Sequence, residues 1–239
     1  KGRAEDGYIH IISLLDADGI RRILANIVTN FTGFAPLGTV LVALLGVGIA
    51  ERAGLLSAVM RLVVMKAPRK MTTLAIVFAG IMSNTAAELG YVVLIPLSAI
   101  IFHSLGRHPL AGIAAAFAGV SGGYSANLLL GTIDPLLSGI TQQAARIIDP
   151  SYIVGAEANW YFMFVSTFLI TFLGYIITEK IVEPQLGPYN GNELDDEETD
   201  LKNAAQVTPL EKKALWAATG TFIVMAIILA FTVVPENAY

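Results

Sequence analysis

Apolar and polar positions alternate along the chain in membrane-length runs, two of which are broken in the middle. Residues 31–52 are an apolar run closing at Glu51-Arg52. That is the length of one bilayer-crossing helix, about 20 residues. Residues 156–182 and 212–234 are two more runs, and each predicts a transmembrane helix. Trp160, Tyr161 and Phe162 at one end of the 156–182 run, with Tyr175 near the other, fit an interfacial aromatic belt.

Residues 71–105 behave differently. They hold only Glu88 and His103 as groups ionisable near neutral pH. The run is too long for one span and too short for two spans with a turn. Its middle is the polar Ser83-Asn84-Thr85. Irregular backbone at membrane depth is tolerated only where protein or a water-filled cavity covers it. The pattern therefore predicts a re-entrant helical hairpin with Ser83-Asn84-Thr85 at its tip. Residues 109–141 repeat the problem. An apolar stretch from Leu110 to Val120 gives way to Ser121-Gly122-Gly123-Tyr124-Ser125-Ala126-Asn127, then turns apolar again at Leu128. Adjacent glycines destabilise a helix by roughly 1 kcal/mol each relative to alanine, so a broken transmembrane helix is expected. Asp134-Pro135 predicts its restart, with Asp134 as N-cap and Pro135 at the first helical position.

The remaining segments connect these elements. In residues 1–30, Ile20, Ile23, Leu24, Ile27 and Val28 recur at helical spacing opposite Arg21, Arg22 and Asn26. This is an amphipathic helix, either lying at the membrane surface or packed on protein. Residues 53–70 form a connector with interfacial-helix character, ending at Lys66-Ala67-Pro68-Arg69-Lys70. Residues 142–155 read as an exposed connector, and 183–211 as an aqueous loop with an acidic run at 193–200. With Lys66–Lys70 on the cytoplasmic side, Arg107, Lys180, Lys202, Lys212 and Lys213 fall there too, as the positive-inside rule expects. Arg21, Arg22 and Arg146 are exceptions.

Composition supports lipid as the solvent. The chain is 55% hydrophobic and 14% charged, with a mean hydropathy of +0.66. Soluble domains carry about 25% charged residues. Cysteine is absent, which excludes disulfides, thiolate metal sites and a cysteine nucleophile. The 3 histidines, His10, His103 and His108, do not cluster as metal ligands. A net charge of −4 without a basic stripe argues against nucleic acid. No Walker loop, nucleophile elbow or His-Glu-x-x-His motif occurs.

The candidate chemistry lies at the two interruptions. Thr85-Ala86-Ala87-Glu88 has capping-box spacing, so Glu88 either caps the outgoing half-helix or carries a proton at membrane depth. Half-helix N-termini attract anions, and carbonyls near Ile81–Ser83 can ligate sodium. At the second break Gly122 and Gly123 let the backbone unwind, and Ser125 and Asn127 supply neutral polar groups. A glycine kink for tight helix packing is the alternative. Asp134 is either a cap or a pathway residue.

Several motifs carry a resemblance. Asn30-Phe31-Thr32-Gly33-Phe34-Ala35-Pro36-Leu37-Gly38-Thr39, Ser83-Asn84-Thr85-Ala86-Ala87 through Gly90-Tyr91-Val92-Val93-Leu94-Ile95-Pro96-Leu97, Gly106-Arg107-His108-Pro109 and Ala118-Gly119-Val120-Ser121-Gly122-Gly123-Tyr124-Ser125-Ala126-Asn127 occur in order. Over roughly residues 19–190 the chain resembles the aminobenzoyl-glutamate transporter family. The resemblance implies an all-α polytopic protein of the bacterial inner membrane and a homodimer. Each subunit would hold two inverted repeats, each with a re-entrant hairpin and a broken helix. It also implies import of p-aminobenzoyl-glutamate or export of sulfonamide-type folate antimetabolites, driven by a sodium or proton gradient and without another cofactor. Carried over, it assigns Ser83, Asn84, Thr85, Gly122, Gly123, Ser125 and Asn127 to substrate and ion, with Ser83, Asn84 and Asn127 as possible sodium ligands. No second Ser-Asn-Thr-like break follows residue 190, so the chain is expected to be the first of the two halves. The hairpin and broken helix would move against a scaffold of 31–50, 156–182 and 212–234. Sodium-coupled carriage of other carboxylates, an intramembrane enzyme and a non-transporting scaffold are the competing readings.

Overall fold

The computed structural model describes residues 13–34, 36–86, 90–124, 126–190 and 206–233. Among them every regular element is helical. Glu88, Ser125 and the 193–200 acidic run lie outside the described residues.

Helix α1 spans Ala17–Thr32 and is capped by Asp16, whose side chain accepts from the Gly19 N–H at 2.7 Å. At its other end the Gly33 N–H returns to the Thr29 carbonyl at 2.8 Å. Helix α2 therefore begins only at Leu37, behind Pro36, and runs to Arg52. The uninterrupted helix expected over 31–52 is thus corrected at its start: residues 31 and 32 close α1. The two helices meet at 66°, and as one bent pair they are long and apolar enough to cross a membrane. Gly54, with φ of 74°, turns the chain into α3, Leu55–Met65. The inner face of α3 is buried at Ala58, Met60 and Val64, so this helix packs on protein as well as facing outward.

The core surrounds α4, Thr72–Met82. A helix apolar on all sides must be covered on all sides or sit in lipid. Here α4 is covered, with Ile76, Val77 and Ile81 fully buried. Its neighbours are α6 (Pro109–Phe117), the wide π-type turn Ala118–Gly122 and α8 (Trp160–Ile177). Helix α5, Ile95–Ser104, follows a second π-type turn at Gly90–Leu94 and packs antiparallel on α6 across the Gly106 turn. A Cβ at Gly119 would stand 2.5 Å from the Val77 carbonyl oxygen, and one at Gly112 2.5 Å from that of Ser98. Small residues thus set these close helix approaches.

Beyond the second break, α7 covers Ile133–Ala145. It starts two residues earlier than expected, at Ile133 and not Pro135, with Thr132 and not Asp134 as N-cap. Asp134 Oδ2 accepts from the Gly131 N–H at 2.6 Å, just ahead of that cap. After Ile177 the chain continues through a π-type turn, Thr178–Val182, into α9, Glu183–Leu186. The unit Ala156–Leu186 is long and apolar enough to span a membrane, as is Pro209–Thr232 within α10 (Pro209–Val233). Helix α10 touches α3 and leaves Trp216, Phe222 and Phe231 more than 70% exposed. Its surface requires lipid or further protein around it.

One end of the packed unit is closed by charge. Arg107, on the α5–α6 turn, donates to Glu179 at 2.7 Å, to Glu183 at 2.8 Å and to the Thr73 hydroxyl at 2.9 Å. The Thr73 hydroxyl in turn donates to Glu179 at 2.6 Å. The guanidinium lies 4.1 Å over the Phe102 ring centre. Burial alone would lower the Arg107 pKa, but hydrogen bonds to Glu183 and Glu179 outweigh it and raise the pKa above its ordinary value.

Candidate functional site

The hairpin tip leaves α-helical geometry where the sequence turns polar. Ser83–Ala86 is a 3-10 turn at the end of α4. The Ser83 hydroxyl donates to the Gly80 carbonyl at 2.6 Å, satisfying a terminal carbonyl from within. At the second break the π-type turn ends at Gly122, and residues 126 and 127 have no regular structure. The Gly123 N–H reaches back to Gly119 at 3.1 Å and the Ala126 N–H to Gly123 at 2.9 Å.

The two breaks are in direct contact. Asn84 Nδ2 donates to the Ile81 carbonyl at 3.0 Å and to the Gly123 carbonyl at 2.9 Å. Asn127 Nδ2 donates to the Thr85 hydroxyl. Tyr91, in the turn leading to α5, shares a 2.8 Å hydrogen bond with Ser121. Ser83 and Asn127 are buried, 1% and 2% exposed. These two polar side chains are therefore held inside protein, while Gly122 and Tyr124 of the second break are exposed.

The predicted site residues divide between two cavities. Asn84 and Asn127 line a polar cavity of about 10 Å³ with Gly131, Thr132, Ile133 and Asp134. This is close to the room one water-sized particle needs. Ser83 and Thr85 instead border an apolar cavity of about 440 Å³ between α3, Leu129 and α10. Of the three possible sodium ligands, Asn84 and Asn127 line the same cavity and Ser83 borders the other. Asp134 lines the polar cavity but does not cap α7, whose N-cap is Thr132, so the expected cap is corrected. Its signal in the sequence was an acid just after the glycine break.

The glycines separate too. Gly123 is buried, and a Cβ there would stand 2.5 Å from both the Gly119 carbonyl and Ile81. Gly122 is exposed, with open space where a Cβ would go. Tight packing thus explains Gly123. A partner of the second break that the periodicity did not reveal is Trp160. Its indole N–H donates to the Leu128 carbonyl at 3.1 Å.

Comparison with known proteins agrees with this architecture. The sequence profile described as the AbgT putative transporter family matches residues 1–239. The p-aminobenzoyl-glutamate transport protein of Escherichia coli (strain K12) is 38% identical over 225 residues, covering 94% of this chain and 43% of that protein. Among solved structures, Neisseria gonorrhoeae MtrF, described as illuminating a class of antimetabolite efflux pumps, is 67% identical with a TM-score of 0.82, covering 100% of this chain and 47% of MtrF. The Alcanivorax borkumensis YdaH transporter, whose topology is described as unusual, is 43% identical with a TM-score of 0.77, covering 95% of this chain and 46% of YdaH. The chain thus spans a little under half the length of these relatives. Two joined helix breaks in an all-helical apolar chain, and a profile match over its whole length, agree: the chain belongs to the AbgT transporter family.

Proposed function

We propose that this chain forms part of a secondary active transporter of the bacterial inner membrane, crossing it several times and driven by a sodium or proton gradient. The observation that carries the reading is the meeting of two helix interruptions around a small polar cavity with one carboxylate. Discontinuous helices with opposed ends are the recurring ion and substrate site of secondary transporters. Asn84, Asn127 and Asp134 surround the coupling ion in this reading. Asp134 supplies the negative charge that an ion at membrane depth requires. Ser83 and Thr85 face the organic substrate from the other wall of the tip, next to apolar surface suited to an aromatic ring.

The cargo we propose is p-aminobenzoyl-glutamate or a sulfonamide-type folate antimetabolite. The 67% identity to MtrF, against 38% to the Escherichia coli protein, supports antimetabolite export as the direction to examine first. The assembled transporter would be a homodimer, as the family resemblance implies. The decisive experiment is flux in proteoliposomes of the full-length protein, with sodium and pH gradients imposed separately. Transport of one of these substrates that follows one of the gradients is the expected result. Flux indifferent to both gradients would overturn the reading. Asp134→Asn should remove gradient-driven flux while leaving passive exchange measurable.

A further inference from the structure

The unwound segment is held from outside by one aromatic residue. Trp160 opens α8 and is half-buried. Its indole N–H points inward, donating to the Leu128 carbonyl at 3.1 Å. A belt tryptophan would aim that N–H at headgroups or water. The Leu128 carbonyl and the Leu129 N–H belong to one peptide unit, which is planar. That Leu129 N–H donates to Asn127 Oδ1 at 3.2 Å. The plane therefore has the indole on one edge and the Asn127 side-chain oxygen on the other. With Oδ1 held there, Asn127 Nδ2 is directed to the Thr85 hydroxyl at the hairpin tip. The indole is fixed in turn by Tyr161 and Phe164, at 5.1 and 5.3 Å between ring centres, and Phe164 by Phe168 at 5.2 Å. Ring pairs at this separation hold their orientation.

We infer that Trp160 is a positioning residue for the coupling-ion site: its indole sets the rotation of the Leu128–Leu129 peptide, and through it the orientation of the Asn127 amide. The inference rests on the transport reading above and adds to it a specific control point on α8. Without the indole N–H the peptide is free to turn, and Asn127 loses the donor that orients it. The ion then meets a site that must first be ordered, so its apparent affinity falls while the translocation step is retained.

The test uses the full-length protein in proteoliposomes. Trp160→Phe keeps a ring and removes the donor. It should raise the half-saturating concentration of the coupling ion about five-fold, the equivalent of one hydrogen bond, with a much smaller change in maximal rate. Trp160→His, which restores a ring N–H, should recover part of the shift. The sequence contains 2 tryptophans, so Trp216→Phe leaves Trp160 as the sole indole reporter in this part of the protein. Against a full-length background with any other tryptophans replaced, its emission should change on adding the ion, and Asn127→Ala should abolish that change. An unchanged half-saturation in active Trp160→Phe protein overturns the assignment while the transport reading stands. If that variant does not fold, an indole emission indifferent to the ion overturns it equally. Wild-type flux that follows neither gradient removes the transport reading and this assignment together.

Discussion

At the scale of single residues, the site depends on which positions can lack a side chain. Gly90 stands so close to Ser83 that a Cβ would lie 2.1 Å from the Ser83 hydroxyl. Gly123 is as tightly placed against Gly119 and Ile81, whereas Gly122 has open space. Gly123→Ala should lower stability by roughly 1–3 kcal/mol, as overpacking does. Gly122→Ala should change it by less than about 1 kcal/mol, because the residue gains helix propensity without a clash. Thermal unfolding of the full-length protein in detergent separates the two, and equal shifts would contradict the packing account. Polarity against an apolar background made Ser83, Asn84, Thr85 and Asn127 legible in the sequence. It could not say that Ser83 and Asn84 face different cavities, since that depends on the 3-10 turn that rotates neighbouring side chains apart. Asp134 was legible as an acid in the right place, and only the fold brought it to the Asn84–Asn127 cavity.

At the scale of elements, hydrophobic length located the helices and missed how they end. The last span was expected to begin at Lys212, but α10 begins at Pro209. Thr208 and Glu211 form a capping box there: the Glu211 N–H donates to the Thr208 hydroxyl at 3.2 Å, and the Thr208 N–H to Glu211 at 2.7 Å. Glu211 also pairs with Arg61 on α3 at 2.5 Å, which docks the start of α10. The Thr-Pro-Leu-Glu spacing at 208–211 carries this cap in the sequence, ahead of Lys212 and Lys213. Thr208→Ala should destabilise the helix start by about 1 kcal/mol, visible as faster amide hydrogen exchange confined to the first turn of α10. Protection equal to wild type there would contradict the cap. The Arg107 cluster had no sequence signal, because Thr73, Arg107, Glu179 and Glu183 come from distant segments. Arg107→Ala should lower stability by roughly 2–3 kcal/mol through lost charge-assisted bonds. Arg107→Lys should recover only part of this, since an ammonium cannot fork between two carboxylates. A melting temperature unmoved by Arg107→Ala would show that the cluster is ornamental.

At the scale of the whole molecule, equal hydrophobicity leads to opposite surroundings. Helix α4 is buried on every side by protein, while α10, also apolar all round, stays exposed apart from its contact with α3. Sequence pattern cannot separate these cases, because lipid and protein interior demand the same side chains. Helix α8 lies against α4 and the Ala118–Gly122 turn, with Val77 of α4 2.8 Å from where a Gly174 Cβ would stand. The two breaks are bonded to each other beside the small cavity they share. Tip, broken helix and α8 therefore form one packed unit, and α3 with α10 adjoins it across the apolar cavity.

The central claim is that the tip and the unwound segment act as one site. A double-mutant cycle across Thr85 and Asn127, read as the half-saturating concentration of the coupling ion in full-length proteoliposomes, tests it most directly. Because Asn127 donates to Thr85, Thr85→Ala and Asn127→Ala should each weaken the ion dependence, and the double variant should be little worse than Asn127→Ala alone. The resulting coupling should be about 0.5–3 kcal/mol. Effects of the two substitutions that simply add would mean that the breaks bind independently, and would contradict the account.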